Sequence, residues 1–368
     1  MIYLHVPFCK SRCVYCDFFS TTSGPAWHER YMEAVLREAE QRKDELGRAR
    51  ADTIYIGGGT PSQLPPALLQ RFFEKLQVLC GLSALQECTV EANPDDVTVE
   101  WVRALKDTPV NRVSMGVQSL DDGVLKFLGR RHTAKQALQA LELLRNAGFE
   151  NVSLDLMFGL PGQNIIRWEK DVKVMLEVSA PHLSAYALQL EEGTVLAKRL
   201  AQDKTLALPS DDEVAGMYDL LVQAAHDAGM EHYEISNFAR PGFRAQHNSG
   251  YWKGLPYVGL GPGAHSFDGA CCRRRNLASL ESYCEAPSPL FEEELLTDDE
   301  RYNETVMTRL RTSDGLFLAG LDEKRRNYTL KTAKPHLQRG AMTLEEGVLR
   351  LSERVFFVSN DIISDFML

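Results

Sequence analysis

Hydrophobic and polar positions along the chain follow two periods that take turns. Short stretches alternate apolar and polar residues or run apolar, as strands do. Longer stretches between them repeat apolar residues three and four apart, as helices do. The first stretch, Ile2-Tyr3-Leu4-His5-Val6, reads as a strand that Pro7 ends. Further strands are predicted at residues 53–56, 87–91, 112–118, 151–158 and 182–188, with a last short one at 233–235. Helices are predicted at residues 27–46, 66–79, 98–106, 133–146, 168–178 and 211–228. The first of them is long and amphipathic, with Tyr31, Val35, Leu36 and Ala39 on one face and Glu, Arg and Gln on the other.

Strands that alternate with helices make βα units and a parallel sheet. Six such repeats predict an α/β fold, a partial (β/α)6 barrel of the TIM type, over residues 1–236. After about residue 240 the pattern changes. Residues 237–290 read as a connecting segment rich in Gly, aromatics and His. Residues 291–327 return to helix, with Val306, Leu310 and Leu316 apolar. The last forty residues read as helix, Gly340, two short strands around Val348 and Val355, and a closing amphipathic helix with Ile362, Ile363 and Phe366. Residues 291–368 are therefore expected to form a small module of winged-helix type, whose acidic patches argue against DNA.

The chemistry concentrates at the ends of the predicted strands. Directly after the first come Cys9, Cys13 and Cys16 at C-x3-C-x2-C spacing. Thiolate-rich sites suit zinc or iron–sulfur clusters. A structural zinc normally closes with four protein ligands, as does an ordinary 4Fe–4S cluster. Here the local set stops at three, and position 18 is Phe. The reading that fits is a cluster with three irons held by protein and one left open for a small ligand. A zinc knuckle is the alternative.

Gly57-Gly58-Gly59-Thr60 follows the second strand, and Glu91, Gln118 and Asp155 end the next three. Glycines let a ligand approach the backbone, and free N–H groups there can hold a carboxylate. The plain alternative is a tight βα turn. Glu91 and Asp155 can accept hydrogen bonds from hydroxyls or an ammonium, and Gln118 can donate and accept. Arg130 can pair with a carboxylate, although Arg131 beside it could face the site instead. Active sites of (β/α) barrels sit at this C-terminal face. His5, alone in a strand, reads as structural. Cys80, Cys88, Cys271, Cys272 and Cys284 have no ligand spacing and read as small core residues. Arg273-Arg274-Arg275 reads as a solvated loop that could meet propionate or phosphate groups.

One more constellation stands apart: His247-Asn248-Ser249-Gly250-Tyr251-Trp252, with His265 in the glycine-rich stretch that follows. It reads as non-helical. A neutral imidazole can ligate haem iron, and aromatic rings can pack on a porphyrin face. Ligation through His247 would weaken as pH falls through the ordinary histidine range, near ~6.5. His265 is the competing ligand.

Composition narrows the class. A chain of 368 residues accommodates one large barrel and a smaller domain. Its net charge of −10 argues mildly against a nucleic-acid partner. There is no apolar run of transmembrane length, and no signal peptide is expected, since the N-terminus enters a strand directly. Eight cysteines in a chain this long do not suggest a disulfide scaffold, so a reducing, cytoplasmic compartment is expected.

The C-x3-C-x2-C spacing resembles the signature of the radical S-adenosylmethionine (SAM) enzymes. The whole chain resembles the branch of that superfamily related to oxygen-independent coproporphyrinogen III oxidase. The segments that carry it are Tyr3…His-Val-Pro-Phe-Cys9…Cys13…Cys16-Asp-Phe18, Gly-Gly-Gly-Thr-Pro61, Glu91-Ala-Asn-Pro94, Gly-Val-Gln118-Ser, Asp155-Leu-Met-Phe-Gly-Leu-Pro161 and His247-Asn-x-x-Tyr-Trp252. The resemblance implies a radical SAM barrel with a 4Fe–4S cluster on Cys9, Cys13 and Cys16. It implies SAM contacts from Tyr3, Tyr15, Gly58, Gly59, Thr60, Glu91, Gln118, Arg130 and Asp155. The oxidases carry one further cysteine two residues after the third, and a longer N-terminal extension. Phe18 and the early strand therefore point to the haem-chaperone side of the branch, in which the His-Asn-x-x-Tyr-Trp segment, here His247, Tyr251 and Trp252, binds haem. The implied partners are haem and haem-accepting proteins. A homodimer and a peripheral membrane association stay open, as do oxidative decarboxylation of porphyrinogen propionates and a zinc scaffold without radical chemistry.

Overall fold

The structure, a computed structural model, describes residues 1–49, 51–203, 205–286 and 288–368. Six parallel strands form its centre: β1 (Ile2–Val6), β2 (Thr53–Gly58), β3 (Glu87–Ala92), β4 (Arg112–Gln118), β5 (Asn151–Phe158) and β6 (His182–Ala187). They lie side by side in chain order. Two antiparallel strands, β7 (Glu231–Glu234) and β8 (Asn237–Ala239), extend the sheet past β6. At the opposite edge β9 (Val258–Leu260) runs parallel to β1. The result is an open, nine-stranded partial barrel.

Parallel strands covered on both faces usually read as continuous apolar runs. These alternate instead. Ile54, Ile56, Val90, Val113, Met115 and Leu154 are at most 1% exposed and face the surrounding helices. The residues between them, including Tyr55, Glu91, Arg112, Ser114, Asp155 and Ser184, face the barrel interior and line a cavity at its mouth. One face of each strand thus builds the core, and the other builds the site.

The helices fall where the periodicity predicts, with three differences. The helix expected at 27–46 is broken into His28–Gln41 and Lys43–Ala49. Between them Arg42 turns inward and is 4% exposed. Its guanidinium donates to Glu38 at 3.1 Å, to the Gly259 carbonyl at 2.8 Å and to Ser266 Oγ at 3.0 Å. Helices Asp122–Leu128 and Val195–Gln202 are the other two, unread because each spans only about two turns, too short for a helical period to stand out. Both matter. Their Val124, Leu128 and Leu196 pack with Val14 and Met157 into a second small core beneath the cysteine loop.

The remainder departs further from expectation. The arginine run is not a solvated loop. It forms β11 (Cys272–Asn276), between β10 (His265–Phe267) and β12 (Phe291–Leu295). Arg273, Arg274 and Arg275 stand opposite Glu294, Glu293 and Glu292, so opposite charges face each other across the ladder. Residues 291–327 are therefore not continuous helix: β12 precedes helix Asp298–Arg309, and β13 (Leu316–Phe317) follows it. Helix Glu323–Gln338 then leads to the hairpin β14 (Met342–Glu345) and β15 (Val348–Leu351). With β13 these make a three-stranded sheet of order β13-β15-β14. The strand expected around Val355 is a 3-10 turn, and the closing helix is Ser359–Ser364.

Glu38, fully buried, ties these parts together. Its carboxylate accepts from Arg42, Gly261 N at 3.0 Å, Asn276 Nδ2 at 2.8 Å and Tyr283 Oη at 2.6 Å. Removing Glu38 takes one buried carboxylate from Arg42, which keeps only the half-exposed Glu45 as a carboxylate partner at 2.6 Å, and leaves Gly261 N, Asn276 and Tyr283 without that acceptor. Glu38→Ala should destabilise the protein by about 3–5 kcal/mol, read as a lowered denaturant midpoint. A loss no larger than that of an exposed substitution would show that the network carries little.

Candidate metal and cofactor centre

The cysteine loop leaves β1 at Pro7 and returns at Thr21. Thr21 N donates to the Pro7 carbonyl at 2.7 Å, and Cys9 N donates to the Thr21 carbonyl at 2.9 Å. The middle of the loop is held from below. Val14 N donates to Leu128 O at 3.1 Å and Leu196 N donates to Val14 O at 2.8 Å. His5, read as structural, is so: Nε2 meets the Phe19 carbonyl at 2.9 Å and Nδ1 meets Tyr3 Oη at 3.1 Å.

All three thiols of the motif line one cavity of about 500 Å3 at the C-terminal mouth of the barrel. Thr60 Oγ1 lies 3.4 Å from Cys9 Sγ, and Arg130 Nη1 lies 3.5 Å from Cys13 Sγ. Burial pushes the Cys9 thiol up and the Cys16 thiol up to about 11. Loading them with metal must therefore release protons. Among the described residues no three His, Cys, Asp or Glu side chains converge on a single-ion position.

Gly58, Gly59, Thr60, Glu91, Gln118, Arg130, Asp155 and Tyr15 line the same cavity. Gly58 has φ +114°, and a Cβ there would come 2.8 Å from the His5 ring. A Cβ on Gly59 would meet Phe8 O at 2.9 Å and Cys9 Sγ at 3.1 Å. Gly58 is glycine because β1 lies against it and its φ is left-handed, and Gly59 because the start of the cysteine loop crosses directly over it. Their N–H groups are not free, as the sequence suggested. Gly58 N donates to Glu91 at 3.1 Å, and Gly59 N donates to Val6 O at 2.8 Å. Gln118 ends β4 at φ +70°, next to a register shift after Gly116, a backbone strain that aims it into the mouth. Tyr3 is the exception. It does not line the mouth cavity and pairs with His5 below it.

Of the two adjacent arginines, Arg130 faces the cavity. Its Nη2 donates to Asn93 Oδ1 and to the Gly116 carbonyl, both at 2.6 Å, while its buried Nε has no partner among the described residues. Arg131 turns away to Asp95 at 2.8 Å and Asp96 at 3.2 Å. Asp155 accepts from Ser114 at 3.2 Å and Ser153 at 3.3 Å, and burial raises it above the usual carboxylate range. Glu91 accepts from Tyr55 Oη at 2.8 Å, and burial pushes it up to about 7. Arg112, overlooked in the sequence, is 1% exposed inside the barrel beneath these carboxylates, with its Nε unpartnered among the described residues. The signal was present: a charged residue at an inward position of a strand.

An open cavity with three thiols on one rim, Gly59 under the first thiol and the Arg130 guanidinium, its Nε unsatisfied among the described residues, beside the second fits a cluster with a small charged ligand on it. Cys9, Cys13 and Cys16 could hold the cluster. Arg130, Glu91 and Asp155 supply a cation and two anions for a ligand carrying both charges.

The His-Asn-x-x-Tyr-Trp segment is a helix, Gln246–Trp252, not an irregular stretch. Its N-terminus docks on the Glu87 carboxylate, with Gln246 N at 2.8 Å and His247 N at 3.0 Å. His247 is fully buried. Its Nδ1 meets Thr53 Oγ1 at 2.8 Å and its Nε2 meets Tyr251 Oη at 2.9 Å. Burial, reinforced by the N-terminal ammonium and Arg112, pulls it down to about 3. In this conformation it therefore stays neutral across physiological pH, and His247 itself does not supply a titration near the ordinary 6.5. Tyr251 and Trp252 are half-buried, and His265 is exposed on β10. Asn248 alone of this segment reaches the mouth cavity.

A partial parallel barrel with three cysteines on the loop after its first strand defines the radical SAM class, and the Radical SAM superfamily profile matches residues 3–175. Heme chaperone HemW of Lactococcus lactis is 38% identical over 88% of this chain and 84% of its own length. Heme chaperone HemW of Bacillus subtilis is 37% identical over 88% and 86%. The chain belongs to the HemW family. The solved structure of coproporphyrinogen III oxidase (HemN) from Escherichia coli, a radical SAM enzyme, superposes with a TM-score of 0.83 at 21% identity, over 99% of this chain and 89% of that one. At that identity the likeness speaks for the fold. The superfamily implies a 4Fe–4S cluster and SAM. Among the described residues no helix is long and apolar enough to cross a membrane.

Glu91 yields a pH prediction. Its folded value of about 7 lies above the ordinary 4.5, so between those values the fold binds the proton more tightly than the unfolded chain. The associated stability is full below about pH 4.5 and is lost as pH rises through about 7. Thermal melts of the metal-free protein from about pH 5 to about pH 8 should show Glu91→Gln losing less stability than wild type. Parallel curves would mean that Glu91 is not desolvated in the barrel.

Proposed function

We propose that this protein is a haem chaperone: it binds haem and hands it to haem-accepting proteins, with a 4Fe–4S cluster and SAM held at the barrel mouth. The observation that carries the reading is the identity of 37–38% to proteins named haem chaperones over most of both chains. Phe18 supports it. This side chain is 64% exposed on the rim of the mouth, where the oxidases place a further cysteine.

In this reading Cys9, Cys13 and Cys16 ligate three irons, and SAM occupies the fourth. Arg130 pairs with the SAM carboxylate. Glu91 and Asp155 take its ammonium or ribose hydroxyls, Gln118 adds a further hydrogen bond, and Gly58, Gly59 and Thr60 form the wall beneath. Tyr15 covers the site from the cysteine loop, and Tyr3 holds His5, and through it the loop. Bound together, cluster and SAM supply one-electron chemistry. What this chain contributes is orientation and a mouth lined with fixed charges. The His247 helix belongs to haem. Residues 1–236, 237–290 and 291–368 serve as barrel, connecting segment and C-terminal module.

Anaerobic reconstitution followed by haem titration tests the proposal. Wild-type protein should bind haem and should not convert coproporphyrinogen III with SAM and a reductant present. Cys9→Ser, Cys13→Ser and Cys16→Ser should each lose most bound iron and sulfide, whereas Cys80→Ser and Cys284→Ser should keep it. Stoichiometric decarboxylation of coproporphyrinogen III, or absence of haem binding, would replace the chaperone reading.

A further inference from the structure

Helix Ile165–Glu177 packs on the outside of the barrel through Trp168, Val172 and Met175, and one buried residue among them is a carboxylate. Asp171 is 6% exposed and does not line the mouth cavity. Its Oδ2 accepts from Ser119 Oγ at 2.7 Å and from Leu120 N at 3.1 Å, both just past the end of β4. A buried carboxylate is costly unless it is hydrogen-bonded, and these two donors are what it satisfies.

The residues it grips form a turn that L-residues avoid. Ser119 N donates to Val117 O at 2.9 Å, two residues back, around Gln118 at φ +70°. This is a γ-turn of the rare, strained hand. Such a conformation persists only where its surroundings over-determine it. Two clamps do so here. Asp171 holds the far arm through Ser119 and Leu120. His132, 3% exposed, holds the near arm, with Nε2 meeting Val117 O at 3.0 Å. Ser119 passes the hold on: its Oγ accepts from Asp121 N at 3.1 Å, and Asp121 caps the helix Asp122–Leu128, which ends just before Arg130.

The strain has an effect inside the mouth. A Cβ on Gly116 would come 2.8 Å from Gln118 Nε2 and 3.1 Å from Arg130 Nη2. The turn thus folds the Gln118 amide back over its own strand, where it converges with the guanidinium on one spot, and Gly116 leaves room for both.

We propose, resting on the reading that SAM occupies the mouth, that Asp171 is a positioning residue for SAM. From outside the cavity it holds the Gln118 turn, and through the turn it sets the amide beside Arg130.

SAM binding to the reconstituted protein, taken per cluster bound, is measured by equilibrium dialysis for wild type, Asp171→Ala, Gln118→Ala and the double variant. Gln118→Ala should weaken SAM by about tenfold. Asp171→Ala should weaken it by about tenfold in wild type and by less than about threefold in the Gln118→Ala background, because its effect runs through that side chain. Asp171→Asn keeps an oxygen for both donors and should stay within about threefold of wild type. If Asp171→Ala does not fold, Ser119→Ala, which removes the 2.7 Å bond and leaves the carboxylate, takes its place in the cycle with the same expectation. In the metal-free protein Gln118→Gly, which relieves the turn, should raise the denaturant midpoint, an effect in which SAM has no part.

Equal losses from Asp171→Ala in both backgrounds would overturn the positioning role and leave SAM in the mouth. So would unchanged affinity in Asp171→Ala or Gln118→Ala, an Asp171→Asn loss as large as that of Asp171→Ala, or a Gln118→Gly midpoint below wild type. No SAM binding by wild type would overturn the reading of the mouth itself.

Discussion

A strand hydrogen-bonded along both edges is the constraint on which the rest of this structure depends. β1 pairs with β2 from Ile2↔Ile54 to Val6↔Gly58, and with β9 from Ile2↔Val258 to Leu4↔Leu260. Its apolar side chains Ile2, Leu4 and Val6 are completely buried. A strand held this way cannot slip register without turning its whole apolar face to the wrong side. The cysteine loop leaves its end two residues before Cys9, so the thiols inherit that rigidity. The same pairing puts Val6 beside Gly58, and Gly59 N donates to Val6 O at 2.8 Å, so the start of the loop and the glycine turn lie against each other. Any bulk at Gly59 would push on the ligand set itself.

The inward face of the barrel sets the electrostatics. Glu91 and Asp155 are held by hydroxyls and a backbone N–H, not by an ion pair, and burial raises both. Arg112 lowers each through space without touching either. Arg130 is pinned by neutral acceptors, Asn93 and the Gly116 carbonyl. The mouth thus keeps its charges uncommitted to one another, and a ligand bearing both signs can engage them without first breaking a salt bridge. A direct Arg130–Asp155 pair would have closed the site.

Much of this was legible in the chain. Six strands and the major helices follow from periodicity because their outward faces are packed by a single core. The cysteine spacing, the glycine turn and the strand-end polar residues follow from local sequence. What escaped depends on contacts far apart in sequence. Arg42 breaks its helix because Gly259 and Ser266, more than two hundred residues later, accept from it. Arg273 to Arg275 become a strand because an acidic strand lies opposite. The short helices Asp122–Leu128 and Val195–Gln202 have too few turns to show a period of their own and gain their place by clasping Val14. Arg112 could have been found, since inward alternation puts it on the face of Ser114 and Gln118.

The helix Gln246–Trp252 gives the molecule its remaining logic. Its first turn is fixed to Glu87, and His247 to Thr53, at the starts of β3 and β2. Asn248 reaches the mouth cavity through the barrel interior, while Tyr251 lines a groove of about 580 Å3 beside the C-terminal module. Seven residues therefore touch both chambers, and the buried imidazole lies between them. A neutral ring bonded at both nitrogens is a spacer of fixed length and direction. Its two bonds join Tyr251 to Thr53 on the second strand, whose far end is the glycine turn beside Cys9. Such a ring fits a buried place because, neutral, it satisfies a hydroxyl at each nitrogen without bringing a charge into the core.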